Sequence, residues 1–114
     1  MTFKEYGDYV QDILDAILEL ESFTRGLSFR DFEGDKKTVN AVIRSMEIIG
    51  EAAKNIPSTI KDKYPDVPWK KMAGMRDKLI HEYFGVDLDI VWDSATKEIP
   101  AVKPLIEKIL KKMK

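Results

Sequence analysis

The feature that most constrains the fold is the spacing of apolar residues, which recur every three or four positions along almost the whole chain. An α-helix turns through about 100° per residue, so this spacing gathers apolar side chains on one side of a helix. We find no stretch with the strict apolar–polar alternation of a half-buried strand. The pattern predicts helices over residues 3–23, 29–33, 36–55, 58–63, 68–84 and from 88 onwards, with a new segment or a kink at Pro100.

Residues that begin or end helices separate these segments. Gly26 is a natural C-cap for the first helix, Ser28 and Asp87 are N-cap residues, and Pro57 ends the helix before it. The connections are short, which favours antiparallel neighbours. The sequence therefore predicts an all-α fold, an up-and-down bundle of four to five antiparallel helices, in a single domain spanning residues 1–114.

The composition excludes several classes of protein. The net charge is −1, so binding to nucleic acid requires a local basic patch rather than an overall positive charge. There is no cysteine, no signal-peptide pattern and no apolar run of the roughly 18 residues that cross a bilayer. We therefore expect a cytoplasmic protein with no membrane association.

The only histidine lies in the segment 75–84, together with an arginine and a tyrosine at helical spacings. On a helical wheel Arg76 falls near the centre of an apolar stripe, and Tyr83 lies about 20° from it. A buried unpaired charge is very costly, so Arg76 requires either a carboxylate or a wet cleft. His81 is about 140° from Arg76 and about 40° from Asp77.

The predicted helix 36–55 carries a polar strip that offers such a carboxylate. Two interpretations stay open: surface ion pairs among Arg44, Glu47 and Glu51, or a carboxylate of Glu47 or Glu51 that pairs with Arg76. A second small apolar strip beside it suggests contacts on two sides of this helix. The polar strip consists of Asn40, Arg44, Glu47 and Glu51, and the second apolar strip of Ala41, Ile48 and Ala52.

Two further features each allow a structural and a functional interpretation. Gly74 costs about 1 kcal/mol relative to alanine inside a helix, which indicates a close approach by another helix or by a partner. The lysines at 108, 111, 112 and 114 either complement a helix C-terminus or hold phosphate.

The candidate chemistry follows from what the chain lacks. One histidine with scattered carboxylates does not form a zinc site, no cofactor motif is present, and no serine or cysteine nucleophile stands in a suitable context. An acid–base histidine with an arginine remains, and these groups suit metal-independent RNA cleavage. The alternative is a helix-end histidine that faces solvent or bonds Asp77.

One histidine per chain cannot easily act on both sides of a phosphate. A symmetric homodimer with two motifs facing a shared groove removes this difficulty and brings Arg76 of one chain towards His81 of the other. The second apolar strip and Gly74 favour the same assembly.

The run from Arg76 to Tyr83 resembles the Arg-x4-His-x-Tyr signature of the HEPN superfamily, and specifically the HepT-like toxins of bacterial and archaeal toxin–antitoxin pairs. The resemblance extends over residues 42–52, Pro68-Trp69, 73–77 and 83–87, and so covers nearly the whole chain. It implies an all-helical dimer that acts as a metal-independent ribonuclease toxin. It also implies that Arg76 and His81 are the catalytic pair, that Asp77 orients the site, and that a minimal nucleotidyltransferase antitoxin transfers AMP to Tyr83.

Two rival functions remain open. One is a non-catalytic module that binds a nucleotide or presents Tyr83 to a nucleotidyltransferase partner, which the net acidity favours. The other is a purely structural dimer, in which replacing Arg76 would alter stability without altering toxicity. A ribonuclease is the leading hypothesis because the motif is complete.

Overall fold

The computed structural model describes residues 6–81 and 87–113, and the side chains of residues 76–81 lie outside that description. Within these ranges the chain is helical and contains no strand. The helices are α1 (Tyr6–Thr24), α2 (Phe29–Glu33), α3 (Lys36–Asn55), α4 (Ser58–Lys63), α5 (Trp69–His81), α6 (Leu88–Asp93) and α7 (Ile99–Lys112), and a π-helical turn (Ser94–Glu98) joins α6 to α7. The predicted all-α class is confirmed.

Local capping explains where the first helices begin and end. Gly26 has a φ of 77°, a conformation that glycine adopts at no steric cost, and it follows the end of α1. Ser28 and Asp31 form a capping box at the start of α2. Asp35 accepts from the N–H groups of Lys37 and Thr38 and from the Thr38 hydroxyl, and the Thr38 bonds lower the pKa of this carboxyl.

The helices pack around one apolar core. The helix α3 packs against α1 on one side and α5 on the other, and α7 packs against α1. Phe32 is fully buried and its ring lies 5.0 Å from that of Trp92, so α2 closes the core against α6. The largest fully buried side chains are Phe32, Ile13, Ile17, Leu20, Met46, Ile49, Ile106, Ile109, Val10 and Val42.

Several sequence expectations need correction. The first helix ends at Thr24 and the fifth begins at Trp69, each one residue later than predicted, while Phe3 and residues 82–86 fall outside the described ranges. Leu18 follows the three- and four-residue apolar spacing of α1 but is 44% exposed. The wheel places Leu18 at the edge of the apolar stripe, about 100° from Ile17.

Pro100 lies in the first turn of α7, so the new segment predicted at this residue is confirmed, and a π-helical turn precedes it. A proline has no N–H and its ring clashes with the carbonyl four residues earlier. The turn before it is widened into a π-helix, in which the Ile99 N–H donates to the Ser94 carbonyl. As a result α6, the π-helical turn and α7 run on from one another between Leu88 and Lys112.

Candidate active site on helix α5

The N-terminal half of α5 is held firmly by the core. Trp69 is 6% exposed and its indole Nε1 donates to the Tyr64 carbonyl at 3.0 Å. Met72, one turn later, is 5% exposed and packs in the same core. These contacts fix the direction of α5 against α3, and the helix continues through the motif to His81.

The helix places the backbones of the two predicted catalytic residues. Arg76 and His81 both lie on α5, five residues apart, which corresponds to about 140° of rotation and about 7.5 Å of rise. Asp77 lies on the same helix between them. The predictions for the side chains of these three residues, and everything predicted for Tyr83, lie outside the described part of the chain.

A groove of about 800 Å³ runs beside α5. Its apolar lining includes Met72 and Met75 from α5, Met46 from α3, and Val102 and Leu105 from α7. This groove separates α5 from the segment that contains α6, the π-helical turn and α7.

One ion pair joins the two sides of this groove. Lys71 on α5 donates to Glu98 on the π-helical turn at 2.8 Å, and the Ser94 hydroxyl donates to the other Glu98 oxygen at 2.8 Å. The bond from Lys71, followed by that from Ser94, lowers the pKa of Glu98. Both side chains are at least half exposed, so the pair contributes only about 0–1 kcal/mol to stability. The sequence gives no signal for this pair because its members are 27 positions apart.

Gly74 does not contact another helix of this chain. A Cβ built on it meets no described atom within 4 Å, and the residue is exposed at the edge of the groove. The expectation that a crossing helix of the same chain explains this glycine is therefore wrong for the described residues. The alternative, a partner at this position, stays a prediction.

The polar strip of α3 lies on the side that faces α1. Arg44, Glu47 and Glu51 line a cavity of about 270 Å³ together with Tyr9 and Asp12 of α1. Arg44 lies 3.9 Å from Glu47, with 72% and 24% of their side chains exposed, and Glu51 and Asn40 are exposed. One ion pair of this strip, between Arg44 and Glu47, is thus observed, while a bond from Glu47 or Glu51 to Arg76 stays a prediction.

The second apolar strip of α3 is largely covered within the chain. Ala52 is 4% exposed, and Ile48 packs against the core and lines the same cavity beside Tyr9. Ala41 is half-buried. Because this strip packs against α1, it no longer supports a homodimer strongly. The homodimer prediction then rests mainly on the need for acid–base groups on both sides of the phosphate.

The described residues contain no group of three or more histidine, cysteine or acidic side chains arranged to hold a metal ion. No described helix is long and apolar enough to cross a membrane.

The fold and the motif together define a class of protein, a helical bundle with an arginine and a histidine five residues apart on one helix. Comparison with known proteins shows which family this class of protein belongs to. A sequence model of the family described as "Ribonuclease HepT-like" matches residues 13–109. The chain belongs to this family, which confirms the resemblance to HepT-like proteins.

Relatives match over almost their full lengths. A Thermococcus cleftensis protein named "Probable ribonuclease HepT" is 52% identical over 95% of this chain and 98% of its own length. A Caldanaerobacter subterraneus protein named "Putative RNase TTE0752" is 48% identical over 93% of this chain and 95% of its own. A Methanocaldococcus jannaschii protein named "Putative RNase MJ0127" is 47% identical over 97% of this chain and 92% of its own. No solved structure matches the chain.

Proposed function

We propose that this protein is a metal-independent endoribonuclease, the toxin of a toxin–antitoxin pair. The observation that carries the proposal is the occurrence of Arg76 and His81 on one helix in a member of the ribonuclease HepT-like family. Relatives named as ribonucleases support the same class of reaction.

In the proposed reaction the RNA supplies its own nucleophile. A base removes the proton of a 2′-hydroxyl, whose oxygen attacks the adjacent phosphorus and displaces the 5′-oxygen of the next nucleotide. An acid protonates that leaving oxygen, so the products are a 2′,3′-cyclic phosphate and a free 5′-hydroxyl. His81 provides the acid–base group because an imidazole titrates near neutral pH. Arg76 binds the phosphate with two parallel hydrogen bonds and stabilises its developing charge, and Asp77 orients the site.

The proposed site is formed by two chains. A separation of about 140° around one helix directs Arg76 and His81 of a single chain to different sides. A two-fold homodimer with facing α5 helices brings Arg76 of one chain next to His81 of the other and supplies a second histidine. In this assembly the strip containing Asn40, Arg44, Glu47 and Glu51 supports the motif from α3, and because the strip borders α1 in its own chain it supports the motif of the partner chain.

The proposed regulation acts at Tyr83. A minimal nucleotidyltransferase antitoxin transfers AMP from ATP to the tyrosine hydroxyl: the phenolic oxygen bonds to the α-phosphorus, and pyrophosphate and the hydroxyl proton leave. The bulky anionic group then excludes RNA from the adjacent motif by sterics and by charge repulsion.

The experiment that tests this function is RNA cleavage by the purified protein in EDTA. We expect fragments that end in 2′,3′-cyclic phosphate, and we expect His81→Ala to lower the rate by at least about 100-fold because general acid–base catalysis contributes 10²–10⁴-fold. Lys97→Ala is the matched control, since Lys97 is exposed on the π-helical turn, and it should cleave like the wild type. Cleavage that persists in His81→Ala would contradict the proposed mechanism.

A further inference from the structure

The net charge of −1 hides a strong separation of charge along the chain. Residues 54–71 and 103–114 together contain ten of the 19 lysines and arginines but three of the 20 acidic residues. With histidine neutral, these two segments carry a net charge of +7 and the rest of the chain −8. Two short segments that are far apart in sequence therefore carry an excess of positive charge, while the rest of the chain carries an excess of negative charge.

The fold brings these two segments together. Lys112, at the end of α7, places its Nζ 5.8 Å from the centre of the Tyr64 ring, directly after α4. Tyr64 in turn accepts the indole hydrogen bond of Trp69 at the start of α5. The ends of α4 and α7 thus meet beside the first turn of α5. We call the lysines of α4 and of the last two turns of α7 the basic end: Lys61, Lys63, Lys108, Lys111 and Lys112.

The lysines of the basic end lack carboxylate partners. None of the five has an ion pair within 4.0 Å in the part of the chain that the structure describes, although Asp62, Glu107 and Asp8 belong to the same helices or to the first turn of α1. By contrast, Lys71, Lys97 and Lys103 each bind a carboxylate. Four of the five are exposed, and Lys61 is half-buried.

Helix stabilisation explains only part of this arrangement. Lysines in the last turn of a helix interact favourably with its C-terminal dipole, and α4 and α7 both end in lysines. That effect is local to each helix and does not require the two ends to meet. Placing two lysine-bearing helix ends close together costs repulsion, which a bound polyanion would relieve.

We infer that the basic end binds the phosphate backbone of single-stranded RNA at a distance from the cleavage motif. This inference rests on the proposed ribonuclease function. Lysines act as flexible point charges that suit sequence-independent phosphate contacts. A protein partner would instead require an apolar interface core, which the lysines of the basic end do not provide.

Helix α5 relates this surface to the motif. Trp69 lies beside the basic end, and at 1.5 Å per residue Arg76 follows about 10 Å and His81 about 18 Å further along the helix axis. An RNA strand of a few nucleotides spans this distance. The negative charge of the remaining chain repels the backbone elsewhere, so the basic end also orients the approaching strand.

The test compares two variants with the same change in net charge. Lys63→Gln/Lys108→Gln/Lys111→Gln neutralises three exposed lysines of the basic end and keeps the Lys112–Tyr64 contact. Arg30→Gln/Lys36→Gln/Lys37→Gln is the matched control, with three exposed cations on α2 and α3. Circular dichroism melting establishes that both variants remain folded.

Binding is measured by fluorescence anisotropy with a labelled 2′-O-methyl RNA, which cannot be cleaved because its 2′-oxygen is blocked. For single strands, log K falls with log salt by about 0.7 per phosphate contact. We expect the slope of the basic-end variant to be smaller in magnitude by about 2, because three phosphate contacts are lost. We also expect its affinity for RNA at low salt to fall at least about tenfold. The control should match the wild type. Equal behaviour of the two variants would overturn the inference, and equal competition by polyglutamate would assign the surface to an acidic protein instead.

A cleavage measurement separates this inference from the proposed function. With a dinucleotide RNA, which cannot reach from the motif to the basic end, the basic-end variant should keep wild-type kcat/KM. With a long RNA its KM should rise while kcat stays unchanged. Absence of any cleavage by the wild type would refute the proposed function, while the binding assay would still decide whether the basic end holds phosphate.

Discussion

Lys103 and Glu21 show how a single pair of residues joins distant parts of the chain. The Lys103 Nζ lies 2.9 Å from a Glu21 oxygen, and the two side chains are 28% and 27% exposed. The hydrogen bond from Lys103 to Glu21, helped by the Coulomb attraction between the two charges, raises the pKa of Lys103 above the ordinary lysine value. This pair ties α7 to α1.

The raised pKa predicts a stability effect at alkaline pH. The folded state holds the lysine proton more tightly than the unfolded state, so the stabilisation is complete below about pH 10.4 and disappears as pH rises through the folded-state pKa. We expect Lys103→Met to lower the melting temperature at pH 8 and to differ progressively less from the wild type above about pH 10.4. Thermal melts of both proteins between pH 8 and pH 12 provide the measurement.

Lys97→Met is the control for this prediction. Lys97 pairs with Asp93 at 3.5 Å, but 74% of its side chain is exposed. Its replacement should change the melting temperature little at any pH. A constant difference between Lys103→Met and the wild type across the whole pH range would show that the lysine stem, and not its charge, supports α7.

The sequence predicts local partners well and distant ones poorly. Ser28 and Asp87 cap helices as expected, because a capping side chain bonds to backbone groups two or three residues away. Glu21 and Lys103 are 82 positions apart, and their pairing depends on which faces of α1 and α7 meet. The same limitation hides the contact between Lys71 and Glu98.

At the scale of whole helices, the predicted boundaries agree with the structure where local signals end a helix. The ranges of α2, α3 and α4 match the prediction residue for residue, since caps, glycines and Pro57 mark them. The π-helical turn was not predicted. The position of this turn depends on how the helix accommodates Pro100 while α7 stays packed against α1. Packing between distant helices cannot be read from local sequence signals.

Gly74 allows a prediction about α5. Glycine inside a helix is less stable than alanine by about 0.5–1 kcal/mol, and a Cβ at this position meets no described atom within 4 Å. For the chain without a partner, we therefore expect Gly74→Ala to raise the free energy of unfolding by about 0.5–1 kcal/mol in urea denaturation at low protein concentration.

Gly26→Ala is the opposite case and serves as the control. Gly26 has a φ of 77°, which costs an alanine about 1–2 kcal/mol, so this variant should be less stable than the wild type. If Gly74→Ala is also less stable, and recovers stability as the protein concentration increases, then a second chain contacts Gly74 and the simple helix-propensity argument is wrong.

For the whole molecule, the sequence predicts the class of fold but not how charge and the site are distributed over it. Helical spacing suffices to predict a bundle, because every apolar stripe must find a partner. The spacing does not specify that the polar strip of α3 faces Tyr9 and Asp12 of α1, or that the ends of α4 and α7 meet at Tyr64. The net charge likewise hides the basic end, because opposite charges in separate regions cancel in the sum.

The proposed two-chain site makes a prediction about mixed dimers. Arg76→Ala and His81→Ala should each be inactive as homodimers. When the two variants are unfolded together and refolded in equal amounts, half of the dimers contain one chain of each kind. If Arg76 acts on the histidine of the other chain, each mixed dimer keeps one Arg76–His81 pair of two, and the mixture should recover measurable cleavage, at most about a quarter of the wild-type rate because the second histidine is missing. If both residues act within one chain, no dimer has a complete site and the mixture stays inactive.

Light scattering on the same samples checks that dimers form, and a monomer at micromolar concentration would contradict the shared site directly.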